Sequence, residues 1–188
     1  MELMLDCSWP ADDKLMIQYH NEEWGKPVHD DQQLFELLIL EGFQAGLSWK
    51  TVLHKRENFR KAFDNFDAQI IQHYSENKIH KLMQDASIIR NQSKIRATIG
   101  NAKAYLAIQD HYGSFDAYIW SFTEGKTIIN SINSTTDIPV KTDLSDKMSK
   151  DLLKKGFKFV GSTICYSFMQ ACGMVNDHFN TCSCKNKY

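Results

Sequence analysis

Apolar residues recur at three- to four-residue intervals along most of the chain, and hardly any segment alternates with the period of two that a half-buried strand requires. That pattern predicts an all-α fold. Helices are expected over residues 12–23, 30–45, 48–63, 67–74, 76–84, 91–111, 114–122, 144–155 and 162–172, most of them short and closely connected. Several starts carry residues suited to capping: Asp30 before the Leu34 helix, Ser48 before Thr51, and Ser114 with Asp116 ahead of Trp120. The long irregular stretch 123–142 is rich in Ser, Thr and Asn and holds Pro139, so it reads as a surface excursion rather than a linker between domains. No internal repeat or low-complexity tail is visible, and residues 1–188 are expected to form a single functional unit.

The most apolar run, from Leu34 to Trp49, encloses an acid, Glu41. Burying a carboxylate is costly unless something pairs with it, so an acid on an apolar helix end beside glycines and a Trp reads as a ligand contact. The spacing also suits a plainer role. On a helix beginning near Asp30, Leu34, Leu37, Leu38 and Glu41 share one face, which would leave Glu41 at a polar margin of the core. Glu36 falls off that face and is expected to meet solvent.

Composition limits the function classes. With 188 residues, 43% apolar and 24% charged, the chain can fill one core without disulfide staples. No stretch approaches a membrane span, and Glu2 and Asp6 precede any basic residue, so neither a membrane partner nor a secretory signal is expected and the location is expected to be cytoplasmic. The net charge of -1 gives no general attraction to nucleic acid, which must then come from a local patch. One such patch is Lys147, Lys150, Lys154, Lys155 and Lys158, opposed within that span by Asp151 alone.

The five cysteines are an odd number without an export signal, which points to reduced thiols or a metal site. Cys7 and His20 near the start and His178 and Cys182 near the end make a Cys2His2 set suited to tetrahedral zinc, with Cys184 as a rival to Cys182. Convergence of those four would fill the coordination shell, so the metal would be structural and would clasp residues 7–20 to 178–182.

Between the last two predicted helices, in Lys154-Lys155-Gly156-Phe157-Lys158-Phe159-Val160-Gly161-Ser162-Thr163, two glycines flank a short apolar turn. A tight hairpin of this kind leaves free N–H groups at a helix N-terminus, where a phosphate can dock. It resembles the helix-hairpin-helix module, at about 150–172, with Gly156, Lys158, Val160, Gly161 and Thr163 as its DNA contacts. Trp9, Tyr19, Trp24 and Trp49 would suit stacking around a planar heterocycle. Because aromatics fill cores more often than cages, one or two of the four are expected at a pocket.

Together Tyr19-His20-Asn21-Glu22-Glu23-Trp24-Gly25, Leu40-Glu41-Gly42-Phe43-Gln44-Ala45-Gly46-Leu47-Ser48-Trp49, Lys55-Arg56-Glu57-Asn58-Phe59-Arg60, Gly156-Phe157-Lys158-Phe159-Val160-Gly161 and Val175-Asn176-Asp177-His178 resemble the bacterial type I 3-methyladenine DNA glycosylases, in order and over almost the whole chain. The resemblance implies a helix-hairpin-helix glycosylase fold with one structural Zn2+ held by Cys7, His20, His178 and Cys182. It implies that Glu41, the catalytic residue, hydrogen-bonds a flipped base, that Tyr19 meets its other edge, that Trp49 stacks on its face and that Trp9 and Trp24 close the pocket. Gly46 and Leu47 match the segment that wedges the duplex. Phe43 departs from the pattern, standing where related sequences can carry Gln. Asp177 follows the hairpin at a distance where many helix-hairpin-helix enzymes place an activating aspartate, but the resemblance implies instead that it orients the neighbouring zinc ligand or caps a turn.

The implied reaction is release of free 3-methyladenine from double-stranded DNA containing alkylated adenine. It would be carried out by a monomer with no lyase step, since no Schiff base is needed. Two other classes keep part of the pattern. A noncatalytic lesion sensor would bind without releasing base, and a zinc hydrolase would need an open metal position.

Overall fold

The computed structural model describes residues 7–187, so the acidic positions Glu2 and Asp6 lie outside the described residues. The architecture is mostly helical. In chain order the helices are α1 (Lys14–Glu22), α2 (Asp31–Gln44), α3 (Trp49–Leu53), α4 (Arg56–Ala62), α5 (Ala68–Ile71), α6 (Glu76–Gln84), α7 (Gln92–Tyr112), α8 (Phe115–Trp120), α9 (Asp143–Lys154) and α10 (Ser162–Ala171). Among the described residues no helix is long and apolar enough to cross a membrane.

Side-chain caps fix where most of these begin. Asp13, Asp30, Ser48, Asp67, Ser75, Asn91, Ser114 and Thr142 each accept a backbone N–H from the first turn of their helix. The expected helix 48–63 is in fact two. At Lys55 the N–H bonds to Val52 O three residues back, and the chain turns so that Arg56 grips Glu23 through two contacts of 2.5 and 2.7 Å.

Helix α2 is the centre of the molecule. Every residue from Leu34 to Phe43 is buried, and the helix packs against α3, α7, α8 and α10. A helix buried all round has no solvent face, so the expectation for Glu36 is corrected. It is buried, and Arg60 of α4 pairs with it at 2.7 Å. Phe43 joins the core, with its ring 4.7 Å from that of Phe59 and 5.9 Å from that of Phe63.

The excursion 123–142 is more structured than its composition suggested. Strand β1 (Ile128–Ile129) pairs in parallel with β2 (Val175–Asn176), Ile132 bridges to Phe179, and Ile132 is buried. A two-residue parallel ladder between distant segments leaves no alternating pattern to read. It ties the excursion to the segment carrying His178 and Cys182.

The hairpin between α9 and α10 is built from its own sequence. Gly156, at φ +96°, lets the Phe157 N–H reach Leu152 O at 3.0 Å and its own N–H reach Leu153 O at 3.0 Å, while Phe157 and Leu152 are both buried. This is the Schellman ending of a helix, and it needs a left-handed residue. Asn101 of α7 then clamps the turn, accepting from Lys158 N at 2.8 Å and donating to Lys158 O at 3.0 Å.

Candidate active site

Glu41 sits in the last turn of α2 with its side chain inward, 3% exposed. It lines a cavity of about 220 Å3 together with Trp9, Tyr19, Trp24, Gln44, Trp49, Thr135, Ile138, Ser167 and Gln170. All four aromatics singled out in the sequence are walls of this one space, rather than the one or two expected. Trp49 reaches it from the start of α3, with its ring 5.1 Å from that of Tyr19. Trp9 stands edge-on to Trp24 at 5.1 Å.

Among the described residues, the buried side-chain nitrogen and oxygen atoms left without a hydrogen-bond partner are Trp9 Nε1, Glu41 Oε2 and Trp49 Nε1. All three belong to walls of this cavity. An orphaned buried polar group costs about 1–3 kcal/mol, so three around one void mark a place built to be filled by a polar ring. Burial pushes Glu41 up to about 8, so the carboxyl is protonated when the cavity is empty at neutral pH. Tyr19 is raised well above the usual phenol range by burial and, secondarily, by Glu41, and stays neutral.

Two larger depressions lack this character. These are two of several depressions with more volume than the aromatic cavity. A groove of about 470 Å3 is lined by Glu23, Glu36, Arg56 and Arg60, already paired with one another. A groove of about 710 Å3 holds Lys147, Lys150 and Lys154 against Asp143, Asp146 and Asp151. The expected cationic patch is thus balanced by acids that fold beside it, and Lys155 turns onto Tyr112 Oη at 2.9 Å and Asp151 at 3.8 Å.

On the hairpin, the N–H groups of Gly156 and Lys158 are engaged, Val160 is buried with its carbonyl accepting from Ser149 Oγ at 2.7 Å, and Gly161 and Thr163 are exposed. Gly161 supplies no capping side chain to the ten-residue helix α10. The N–H groups of its first turn, with the Lys158 ammonium, are therefore what the hairpin offers an anion.

Gly46 and Leu47 form a turn directly after α2. Ala45 (φ -47°, ψ 115°) followed by Gly46 at φ +81° matches a type II turn, closed by Leu47 N–H to Gln44 O at 2.6 Å, and leaves Leu47 44% exposed. Lys94 of α7, itself buried, fastens this turn: its ammonium donates to Phe43 O at 2.8 Å and Ala45 O at 2.7 Å, at the negative end of α2. Lys94→Met should strand both carbonyls and lower stability by about 2–4 kcal/mol, read as a fall in the denaturant midpoint with unchanged slope.

Behind Trp9 and Trp24 lies a second cluster. One donor atom each from His20, His178, Cys182 and Cys184, all buried, fall within 4.8 Å of one another, a His2Cys2 set that can hold a metal ion and that contains Cys184 where Cys7 was expected. Cys7 packs in the same apolar pocket as Cys182 and Cys184, its Sγ accepting from Phe179 N–H at 3.3 Å. The second nitrogens are held by amides: His20 Nδ1 lies 2.7 Å from Asn21 Oδ1 and His178 Nδ1 lies 2.9 Å from Asn176 Oδ1, so each Nε2 faces inward as a ligand does. Burial and then the neighbouring His20 push His178 down to about 4, keeping it the neutral imidazole that ligation needs. Gly25 is required beside it, because an added Cβ would meet His178 Cε1 at 3.0 Å.

The role expected for Asp177 is corrected. It is Asn176 that holds His178, whereas Asp177, fully buried, accepts from Asn130 Nδ2, Tyr166 Oη and Gln170 Nε2, each at 2.7 Å. The sequence reading also passed over Gln44, Ser167, Gln170, Thr135 and Ile138. A helical spacing of three relates Gln44 to Glu41 and Gln170 to Ser167, a usable signal once Glu41 is suspected. Thr135 and Ile138, on the excursion, carried none.

A family model described as methyladenine glycosylase matches residues 9–186. The chain is 50% identical over 178 residues to DNA-3-methyladenine glycosylase 1 of Escherichia coli (strain K12), covering 95% of each. It is 47% identical over 179 residues to the DNA-3-methyladenine glycosylase of Haemophilus influenzae, covering 95% of this chain and 97% of the relative. In structure it matches the 3-methyladenine DNA glycosylase I of Staphylococcus aureus, solved to explain 3-methyladenine recognition, with a TM-score of 0.95 at 34% identity and 100% of each chain covered.

Proposed function

The chain belongs to the methyladenine glycosylase family and is a DNA-3-methyladenine glycosylase that releases 3-methyladenine from DNA, and we propose that it does so by drawing the alkylated nucleotide out of the duplex into the aromatic cavity beside Glu41. The observation that carries this mechanism is the set of orphaned polar atoms of Trp9, Glu41 and Trp49 around one aromatic void.

Alkylation at N3 puts a positive charge on the adenine ring and weakens its bond to C1′. The indole of Trp49 and the phenol of Tyr19 offer electron-rich faces to that cation, and Trp9 and Trp24 close the space. Glu41, protonated while the cavity is empty, gives its proton to solvent as the cation enters and pairs with it as the carboxylate. Water then supplies hydroxide to C1′ and a proton to solvent, the electrons of the glycosidic bond stay on the base, and 3-methyladenine leaves neutral. No protein amine is needed, so the reaction is monofunctional. Leu47, presented by Gly46, fills the gap left in the duplex. The first turn of α10 with Gly161, Thr163 and Lys158 holds the backbone of double-stranded DNA, and the whole chain acts as one unit, a cytoplasmic monomer.

We read the His2Cys2 cluster as a zinc site, in keeping with its donor set. Bound there, zinc would supply a structural cross-link and no open position for chemistry. Of three available thiols, Cys7 and Cys182 accept backbone N–H groups at 3.3 and 3.4 Å, as thiolate ligands do, while Cys184 Sγ points at the Asn21 oxygens, as a thiol does. That favours Cys7, His20, His178 and Cys182 as the ligands.

The reading is tested by incubating the protein with methylated duplex DNA and separating the products. Free 3-methyladenine and intact, alkali-labile strands are expected. Binding without release would mark a sensor, and strand cleavage without alkali would mean a lyase step.

A further inference from the structure

Gln170 is a wall of the cavity with no part in the mechanism of base release. Its side chain is fixed more firmly than that of an ordinary surface glutamine. Nε2 donates to Asp177 Oδ2 at 2.7 Å, and the Gln170 backbone carbonyl accepts from Gly25 N–H at 2.9 Å, tying α10 to the Trp24 segment. Asp177 is fully buried and takes donors on both oxygens, Asn130 on Oδ1 and Tyr166 on Oδ2. A carboxylate already accepting from those two groups can only accept from the third, so chemistry alone decides which end of the Gln170 amide faces it. The amine end is committed to Asp177, and the oxygen of this cavity-lining side chain is left. Among the described residues no protein group donates to that oxygen.

We propose that Gln170 is a specificity-determining residue: oriented by Asp177, it turns Oε1 to the cavity as an acceptor for the exocyclic amine of a 6-aminopurine and so disfavours a 6-oxopurine. The inference rests on the glycosylase reading and deepens it. 3-Methyladenine carries N–H donors at C6, whereas 3-methylguanine carries an oxygen there. Against a fixed acceptor the first makes a hydrogen bond and the second faces oxygen with oxygen. A site built to bond a donor rejects the analogue lacking it far better than shape can. Asp177 is in this scheme a positioning residue, acting through Gln170.

Duplex DNA methylated to contain both 3-methyladenine and 3-methylguanine provides the test, with initial release of each base measured by chromatography. Gln170→Met keeps the length of the side chain and removes its acceptor, and should raise the 3-methylguanine rate relative to 3-methyladenine roughly tenfold. Asp177→Asn should move the ratio the same way, because Asn can donate to Gln170 Oε1 and let the amide reverse. A merely structural role would lower both rates together. An unchanged ratio in Gln170→Met overturns the inference, and that variant decides alone if Asp177→Asn does not fold. A parent protein releasing neither base would instead overturn the glycosylase reading, and this inference with it.

Discussion

Glu41→Gln should slow release of 3-methyladenine roughly 10- to 150-fold while the folded protein becomes more stable than its parent at alkaline pH. The kinetic figure follows from removing a charged partner from a desolvated cation, worth about 1.5–3 kcal/mol. Stability moves the other way because the carboxylate is a burden on the empty fold. Burial raises Glu41 from its usual 4.5 to about 8. Between those values the folded chain retains a proton that the unfolded chain has released, so the parent's stability falls as pH rises through the window and levels off above 8. Linkage sets the full span at no more than about 5 kcal/mol. Gln has no proton to lose, so the gap in Tm between variant and parent should be near zero at pH 4 and widest at pH 9. Parental kinetics in the variant, or a gap that does not widen, would remove Glu41 from the mechanism.

The same residue illustrates what could be read from the chain alone. Its apolar setting and the capping residues Asp30 and Ser48 were local signals, and the folded helices begin where those caps put them. Neighbours in space were harder to see. Glu36 looked exposed because a helix wheel carries no information about what packs on its far side, and α4 brought Arg60 there. Thr135 and Ile138 reach the cavity because two residues of parallel strand pin an irregular stretch to β2, a pairing that depends on the tertiary fold. The lysines of α9 formed a patch in sequence but share their groove with Asp143 and Asp146, which lie one turn earlier on the same helix.

Function in turn depends on these long-range ties. Leu47 is held out by a turn whose flanking carbonyls, Phe43 O and Ala45 O, rest on Lys94, buried in the first turn of α7. Asn101, two turns further along α7, clamps the hairpin. One helix thus sets the separation between the proposed wedge and the proposed phosphate-binding end of α10, a distance that no local motif encodes.

Loss of the metal should be as damaging as loss of Glu41, and through the same cavity. Trp24 stands 4.7 Å from the ring of His178 and 6.0 Å from that of His20, and Trp9 lies 5.4 Å from His20, so the walls of the proposed base pocket lean on the rings of the proposed ligands. A metal present at about a thousandfold above its dissociation constant contributes about 4 kcal/mol. In a domain of this size that corresponds to about 8–16 °C in Tm. Cys7→Ser and Cys182→Ser should each purify without stoichiometric zinc, melt lower by that amount, and lose excision even at temperatures where they remain folded, because Trp9 and Trp24 are no longer buttressed. Cys184→Ser should keep zinc, Tm and activity. Metal content by atomic absorption beside a melting curve distinguishes the cases. If Cys184→Ser loses the ion while Cys7→Ser retains it, the fourth ligand is Cys184. If all three keep activity without zinc, the indoles are held by packing alone and the clasp has no part in shaping the pocket.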